Sequence, residues 1–184
     1  MPLIRVRDDA FRPVHHSSHS GFDAFLKIDG IKGDSTDAKH KDWIEINSYS
    51  HQISQAAGGA ASAQGVQTGG RADHADFVIT KRLDAASPNI AKYVCDGKHI
   101  PEIKFELCRA MGDKTTFMVY TFKDSVLSSV IVGPGESDQA DLLPMEQVTI
   151  RYGKIKWEYT PTDPTGGGKK GATITQEFSV LENK

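Results

Sequence analysis

The sequence predicts an all-β fold, mainly antiparallel, in the form of a compact β-barrel or two-sheet sandwich with one short flanking α-helix. Three observations carry this reading. Short runs alternate apolar and polar residues, the period of a half-buried strand: Phe22, Ala24, Leu26 and Ile28 against Asp23, Lys27 and Asp29. Ile103, Phe105 and Leu107 likewise oppose Glu102, Lys104 and Glu106. Only the segment from Ser87 to Gly97 carries convincing helix start and stop signals. Finally, the apolar phase flips within 147–160: Val148, Ile150 and Tyr152 occupy even positions, Ile155, Trp157 and Tyr159 odd ones. A β-bulge or a sharp bend at Gly153 explains the flip, and a strand bent in this way suits a closed or strongly curved sheet.

Along the chain, residues 1–20 mix charges with His15, His16, Ser17, Ser18, His19 and Ser20 and show no periodicity. They read as a flexible extension ahead of a single domain at 21–184, and nothing near the three histidines supplies a stable metal geometry. The first strand begins after Gly21. Asp29-Gly30 and Gly33-Asp34-Ser35 mark turns, and a polar loop reaches about Asp42. A second strand is expected at 43–54. Residues 55–70 are uncharged and rich in Gly, Ala, Ser and Gln. A third strand, 73–83, closes with Asp84. In the helix, Ser87 is the expected cap, Pro88 fits the first helical position, and Gly97 can end it in a left-handed conformation. Ile90, Ala91, Val94 and Cys95 are expected to share the face turned to the sheet. Further strands are expected at 102–109, 115–123, 126–132 and 147–160. A loop at 161–171 and a last strand at 172–181 complete the chain.

With 184 residues the chain is long enough to bury a real core as one domain. It holds no stretch approaching the ~20 apolar residues that cross a bilayer. Arg5, Arg7, Asp8, Asp9 and Arg12 interrupt any secretory leader, so folding in the cytoplasm is expected, with export by a route that needs no cleaved signal. The 22 basic and 24 acidic residues give a net charge of −2, which argues against nucleic acid as the main partner. Near-neutrality lowers the electrostatic cost of self-association. Cys95 and Cys108 make no disulfide framework and are read as reduced core residues.

Motifs for chemistry are scarce. Gly166-Gly167-Gly168-Lys169-Lys170-Gly171 lacks the first glycine of a phosphate loop and has Lys170 where a hydroxyl should meet magnesium. Asp73, His74 and Asp76 are close in sequence, but neighbours on a strand point to opposite faces, so they read as solvated strand ends. His40, His51 and His99 read as polar surface or contact residues. No catalytic residue, cofactor or metal is therefore expected. The uncharged 55–70 stretch lacks the charged gatekeepers that normally protect a small sheet protein. Edges that meet neighbouring copies head to tail close a ring or grow a filament.

An ordered series of segments adds to this. Phe22-Asp23-Ala24-Phe25-Leu26-Lys27-Ile28-Asp29-Gly30-Ile31-Lys32-Gly33-Asp34-Ser35 closely resembles the opening of the Hcp (haemolysin-coregulated protein) family of type VI secretion. His40-Lys41-Asp42, Ile44-Glu45-Ile46, Tyr49-Ser50-His51, Ser54-Gln55, Phe77-Val78-Ile79-Thr80-Lys81, Ser87-Pro88-Asn89, Gly97-Lys98-His99 and Val126-Leu127-Ser128-Ser129-Val130 follow in the family's order. The resemblance implies hexameric rings that stack into a hollow tube inside a contractile sheath. Such a tube carries a spike protein at its tip, is propelled into a neighbouring cell, and can hold effector proteins in its lumen. It implies a ring-stacking loop at 33–42, with the charges Asp34, Asp37, Lys39, Lys41 and Asp42, and a lumen or cargo contact at Ser50. The Tyr49-Ser50-His51 setting departs from the aromatic pair of some relatives. A phage-type tail tube and a β-barrel ligand-binding module are the alternatives, and the Lys-Ile-Asp-Gly-Ile-Lys-Gly run favours secretion.

Overall fold

The alternation at the start of the domain becomes β1 (Phe22–Ile28), which buries Ala24, Leu26 and Ile28 on one face. Phe25 is also buried, on the opposite face beneath the following loop. The computed structural model describes residues 21–55, 71–110, 114–134, 144–163 and 171–184, which hold eleven strands and one helix. The expected extension at 1–20, residues 56–70 of the uncharged stretch and residues 164–170 of the late loop lie outside the described residues.

The expected strand at 43–54 is three pieces: β2 (Ile44–Ile46), β3 (Ser48–Ser50) and β4 (Ile53–Ser54). The next divides into β5 (Asp73–His74), paired with β4, and β6 (Phe77–Arg82). After helix α1 (Ser87–Asp96) come β7 (Ile100–Arg109), β8 (Thr116–Gly133), β9 (Met145–Arg151), β10 (Lys154–Tyr159) and β11 (Ile174–Ser179). Every ladder is antiparallel. β8 joins two expected strands into one of 18 residues. Its first part pairs with β7 and β10, its second with β9, and a register shift between Leu127 and Ser129 bends it.

The main path runs β2-β1-β7-β8-β9-β6-β3, with β10 on β8 and β11 on β10. Its two ends are successive pieces of one segment. β2 pairs with β1, the Asn47 N–H donates to the Thr80 carbonyl at 2.9 Å, and β3 pairs with β6. The sheet therefore curls around one core without a ladder closing it into a barrel. Leu26, Ile44, Phe77, Ile79, Phe105, Phe122, Val148 and Ile150 fill that core and are fully buried.

At Gly153 the structure has a bend rather than a bulge. Lys123 faces Lys154 and Val126 faces Arg151 in one continuous register, so no residue is inserted there. The Gly153 N–H donates to the carbonyls of Lys123 and Asp124 at 3.0 and 3.1 Å, and Asp124 takes a φ of 52°. A Cβ at position 153 would sit 3.0 Å from Leu181 and 3.1 Å from Asp124, so the crossing favours glycine.

The helix ends as read, with Gly97 at φ 57°, but its start differs. Ala86 holds the N-cap position without a side-chain cap. The Ser87 hydroxyl instead accepts the Asp84 N–H at 3.0 Å and donates to Glu146 at 2.7 Å, because the preceding turn holds it over β9. The buried helical residues are Ile90 and Tyr93, while Ala91 and Cys95 are exposed. The helix rotates these last two away from β8. Cys95 is thus a free surface thiol rather than a core residue, whereas Cys108 is free and buried.

Candidate functional site

The loop between β1 and β2 folds back on itself because Gly33 allows it. A Cβ there would collide with the Trp43 carbonyl and lie 2.8 Å from Ile44 Cα. The Gly33 and Ser35 amides donate to the carbonyls of Asp42 and Trp43 at 2.9 and 3.0 Å, and Asp42 N–H returns to Ser35 at 2.9 Å. The five charges read from the sequence divide between solvent and interior. Lys41 is exposed. Asp34 accepts the Ala85 N–H at 3.0 Å, Asp42 lies 3.5 Å from Lys32, and the Lys39 ammonium donates to the Lys114 carbonyl at 3.1 Å.

Asp37 turns inward. Its carboxylate accepts the backbone N–H groups of Lys39 and His40 and faces His40 Nδ1 at 2.9 Å and Lys114 Nζ at 2.9 Å. Burial alone would raise this carboxyl, but the hydrogen bonds from Lys114, His40 and Lys39 outweigh it and hold it far below the usual carboxylate range. The hydrogen bonds to Asp37 and Asp23 in turn push Lys114 up.

His40 is not a surface histidine: it is 2% exposed and forms the centre of a small second core under the loop. Its ring stacks on Phe25 at 4.1 Å and meets the edge of Trp43 at 4.9 Å. Nε2 lies 3.0 Å from Glu106 Oε2 and 3.8 Å from Cys108 Sγ. Thr116 donates to the same Glu106 oxygen at 3.1 Å and sits 3.3 Å from the sulfur. Burial pushes the Cys108 thiol up. Glu106 and Cys108 are two residues apart on β7 and share its outer face. That spacing was the available signal, but His40 comes from a distant loop.

Ser50 is half-buried opposite Val78. Tyr49 points inward, 4.8 Å from Phe105, so alternation turns Ser50 to the other face of β3. His51 points inward again. Its Nε2 lies 2.7 Å from the Tyr152 hydroxyl, which His74 Nδ1 approaches from the other side at 3.0 Å. Asp73 is exposed, whereas Asp76 holds Arg151 at 3.2 Å and accepts from Ser128.

Burial, reinforced by the charge of His74, lowers His51 to about 4 from 6.5. Burial lowers His74 as well, despite the opposing charge of Asp73. The unfolded chain takes up a proton on His51 below about 6.5 that the folded chain accepts only near 4, so stability falls as pH drops through that window. After discounting for partial solvent access, a loss of about 1–2 kcal/mol is expected between those limits. Denaturant midpoints measured across this range should flatten in His51→Asn.

The strand edges with a ladder on one side alone among the described residues include β11, paired with β10, and the 126–133 half of β8, paired with β9. Both expose large apolar residues. Tyr159 and its register partner Ile174 are 46% and 59% exposed, and Ile131 and Val132 are 59% and 57% exposed.

Residues 25–159 match the family model described as "Type VI secretion system effector, Hcp". The chain is 29% identical to Protein hcp1 of Pseudomonas aeruginosa over 162 residues, covering 88% of this chain and 96% of that protein. A solved structure described as a type six secretion system protein superposes with a TM-score of 0.80 at 32% identity, covering 89% of this chain and 98% of the other. Hcp1 from Salmonella typhimurium gives a TM-score of 0.69 at 31% identity, covering 90% and 99%. A family match spanning most of the domain, joined to a shared fold over nearly the whole of each relative, makes this chain a member of the Hcp family of type VI secretion proteins.

Proposed function

We propose that the chain is the building block of a type VI secretion tube, closing into hexameric rings that stack around a hollow lumen. The observation that carries this is the pair of unlike apolar edges on one molecule, Ile131 and Val132 on β8 and Tyr159 and Ile174 on β10 and β11. Joining one edge to the other of the next copy is a heterologous contact, the kind that generates a ring when the rotation closes. Unprotected edges of this sort recruit further chains unless they are meant to be covered.

The remaining parts follow from that arrangement. Asp34, Lys39, Lys41 and Asp42 lie on a loop held stiffly by its own hydrogen bonds, suited to registering one ring on the next through complementary charge. Asp37 acts from within, by fixing the loop's shape. Ser50 offers a small polar contact to effector proteins in the lumen. Sheath contraction supplies the work, a spike protein caps the tube, and export through the machine itself needs no cleaved signal. No reaction is assigned to the chain.

Light scattering on a gel-filtration column, with negative-stain images of the same peak, tests the ring. A mass of about six times the 20.1 kDa chain with annular particles is expected. Ile131→Glu and Ile174→Glu should each return the protein to monomer, since each places an unpaired charge in the contact. A monomeric parent chain at high micromolar concentration, or rings that persist in both variants, would overturn the proposal.

A further inference from the structure

We propose that His40, Glu106 and Cys108 form a binding site for one divalent transition-metal ion of the zinc class, stapling the 33–42 loop to β7. The three donor atoms, Nε2, a carboxylate oxygen and Sγ, all lie within 4.8 Å of one another. Tetrahedral zinc holds neighbouring nitrogen and oxygen ligands about 3.3 Å apart and nitrogen and sulfur ligands slightly further. The observed separations, 3.0 Å from His40 Nε2 to Glu106 and 3.8 Å from Nε2 to Cys108, each lie within a few tenths of an ångström of those spacings.

The surroundings supply a second, independent argument. Asp37 accepts from His40 Nδ1 at 2.9 Å, the carboxylate–histidine arrangement that orients a metal-binding imidazole and directs its Nε2 lone pair at the ion. With the proton on Nδ1, the Nε2 lone pair and a Glu106 oxygen face each other at 3.0 Å, two acceptors that call for a cation between them. A proton satisfies that pair alone. A divalent ion satisfies the sulfur as well, and Thr116 Oγ1 or a water fills the fourth position.

Charge closes too. A thiolate, a carboxylate and a neutral imidazole around a doubly charged ion sum to zero, which suits a site whose histidine and cysteine are 2% and 0% exposed. On binding, the Cys108 thiol releases its proton to solvent and no electron is transferred. The soft sulfur and the imidazole select zinc, cobalt or copper over magnesium and calcium. This site is separate from the strand edges and does not depend on the ring.

Cobalt(II) added to the chelator-stripped full chain under reducing conditions tests the inference. A thiolate-to-cobalt charge-transfer band should saturate at one equivalent and be displaced by zinc. It should vanish in Cys108→Ser and persist in Cys95→Ser, while Asp37→Asn weakens binding about 10–100-fold. Ions held only by His15, His16 and His19 would give no thiolate band. Absence of the band in the parent chain, or its survival in Cys108→Ser, overturns the site.

Discussion

Replacing Lys81 by methionine is expected to cost about 3–5 kcal/mol of stability, because it strands a buried carboxylate. The Lys81 side chain is 0% exposed and its ammonium makes four contacts. It donates to Glu146 at 2.5 Å, Asp84 at 2.7 Å, the Arg82 carbonyl at 2.7 Å and Ser87 at 3.3 Å. Those partners belong to β6, the turn after it, α1 and β9, so one cation ties the helix to the sheet. Glu146 is 1% exposed, and without Lys81 its remaining side-chain partner among the described residues is the Ser87 hydroxyl.

Chemical denaturation at equal protein concentration should show a lower midpoint with unchanged slope, and the melting temperature should fall by roughly 6–20 °C for a chain of this size. The pair Lys81→Met with Glu146→Leu should recover much of the loss, since a buried ion pair is commonly replaceable by apolar residues of similar volume. A single-variant loss below about 1 kcal/mol would mean that water reaches Glu146 and that the bridge is not dry.

This bridge shows what the sequence makes legible and where it stops. Phe77 and Ile79 lead into Lys81 on the odd, inward phase of β6, and Glu146 precedes Val148 and Ile150 on the inward phase of β9. A charge on each apolar phase was a visible signal. That the two are register partners was not, because pairing between strands 65 residues apart is fixed by the whole fold. The same limit explains His40. Alternation correctly placed Ile103, Phe105 and Leu107 inside, yet it gives only two faces per strand, and the outer face of β7 is buried a second time by a loop whose path no local pattern encodes. The helix end at Gly97 and the phase change at Gly153 were readable because each depends on a single residue's backbone and its neighbours. The exposed edges were inferable only in kind, since uncovered ladders appear once the strand order is known.

The core makes the other large prediction. Phe77 is fully buried, with ring centroids 4.8 Å from Phe122, 5.1 Å from Phe105, 5.5 Å from His51, 5.8 Å from Tyr120 and 5.9 Å from Tyr49. Phe77→Ala is expected to cost about 3–5 kcal/mol, the transfer of the ring plus the cavity it leaves among side chains that cannot all collapse inward. Denaturant unfolding reads this directly. Phe77→Leu should cost less and keep the fold, and it offers a sharper test. Phe77 is part of the packing that shields His51, whose lowered titration is caused first by burial. Opening space beside that ring should let water in and move the His51 titration from about 4 back toward 6.5, readable in the imidazole resonances. Because Tyr49 and His51 flank Ser50 on β3, the same variant loosens the strand that carries the proposed lumen contact. A His51 titration unchanged in Phe77→Leu would show that groups other than the Phe77 ring supply the burial that lowers it.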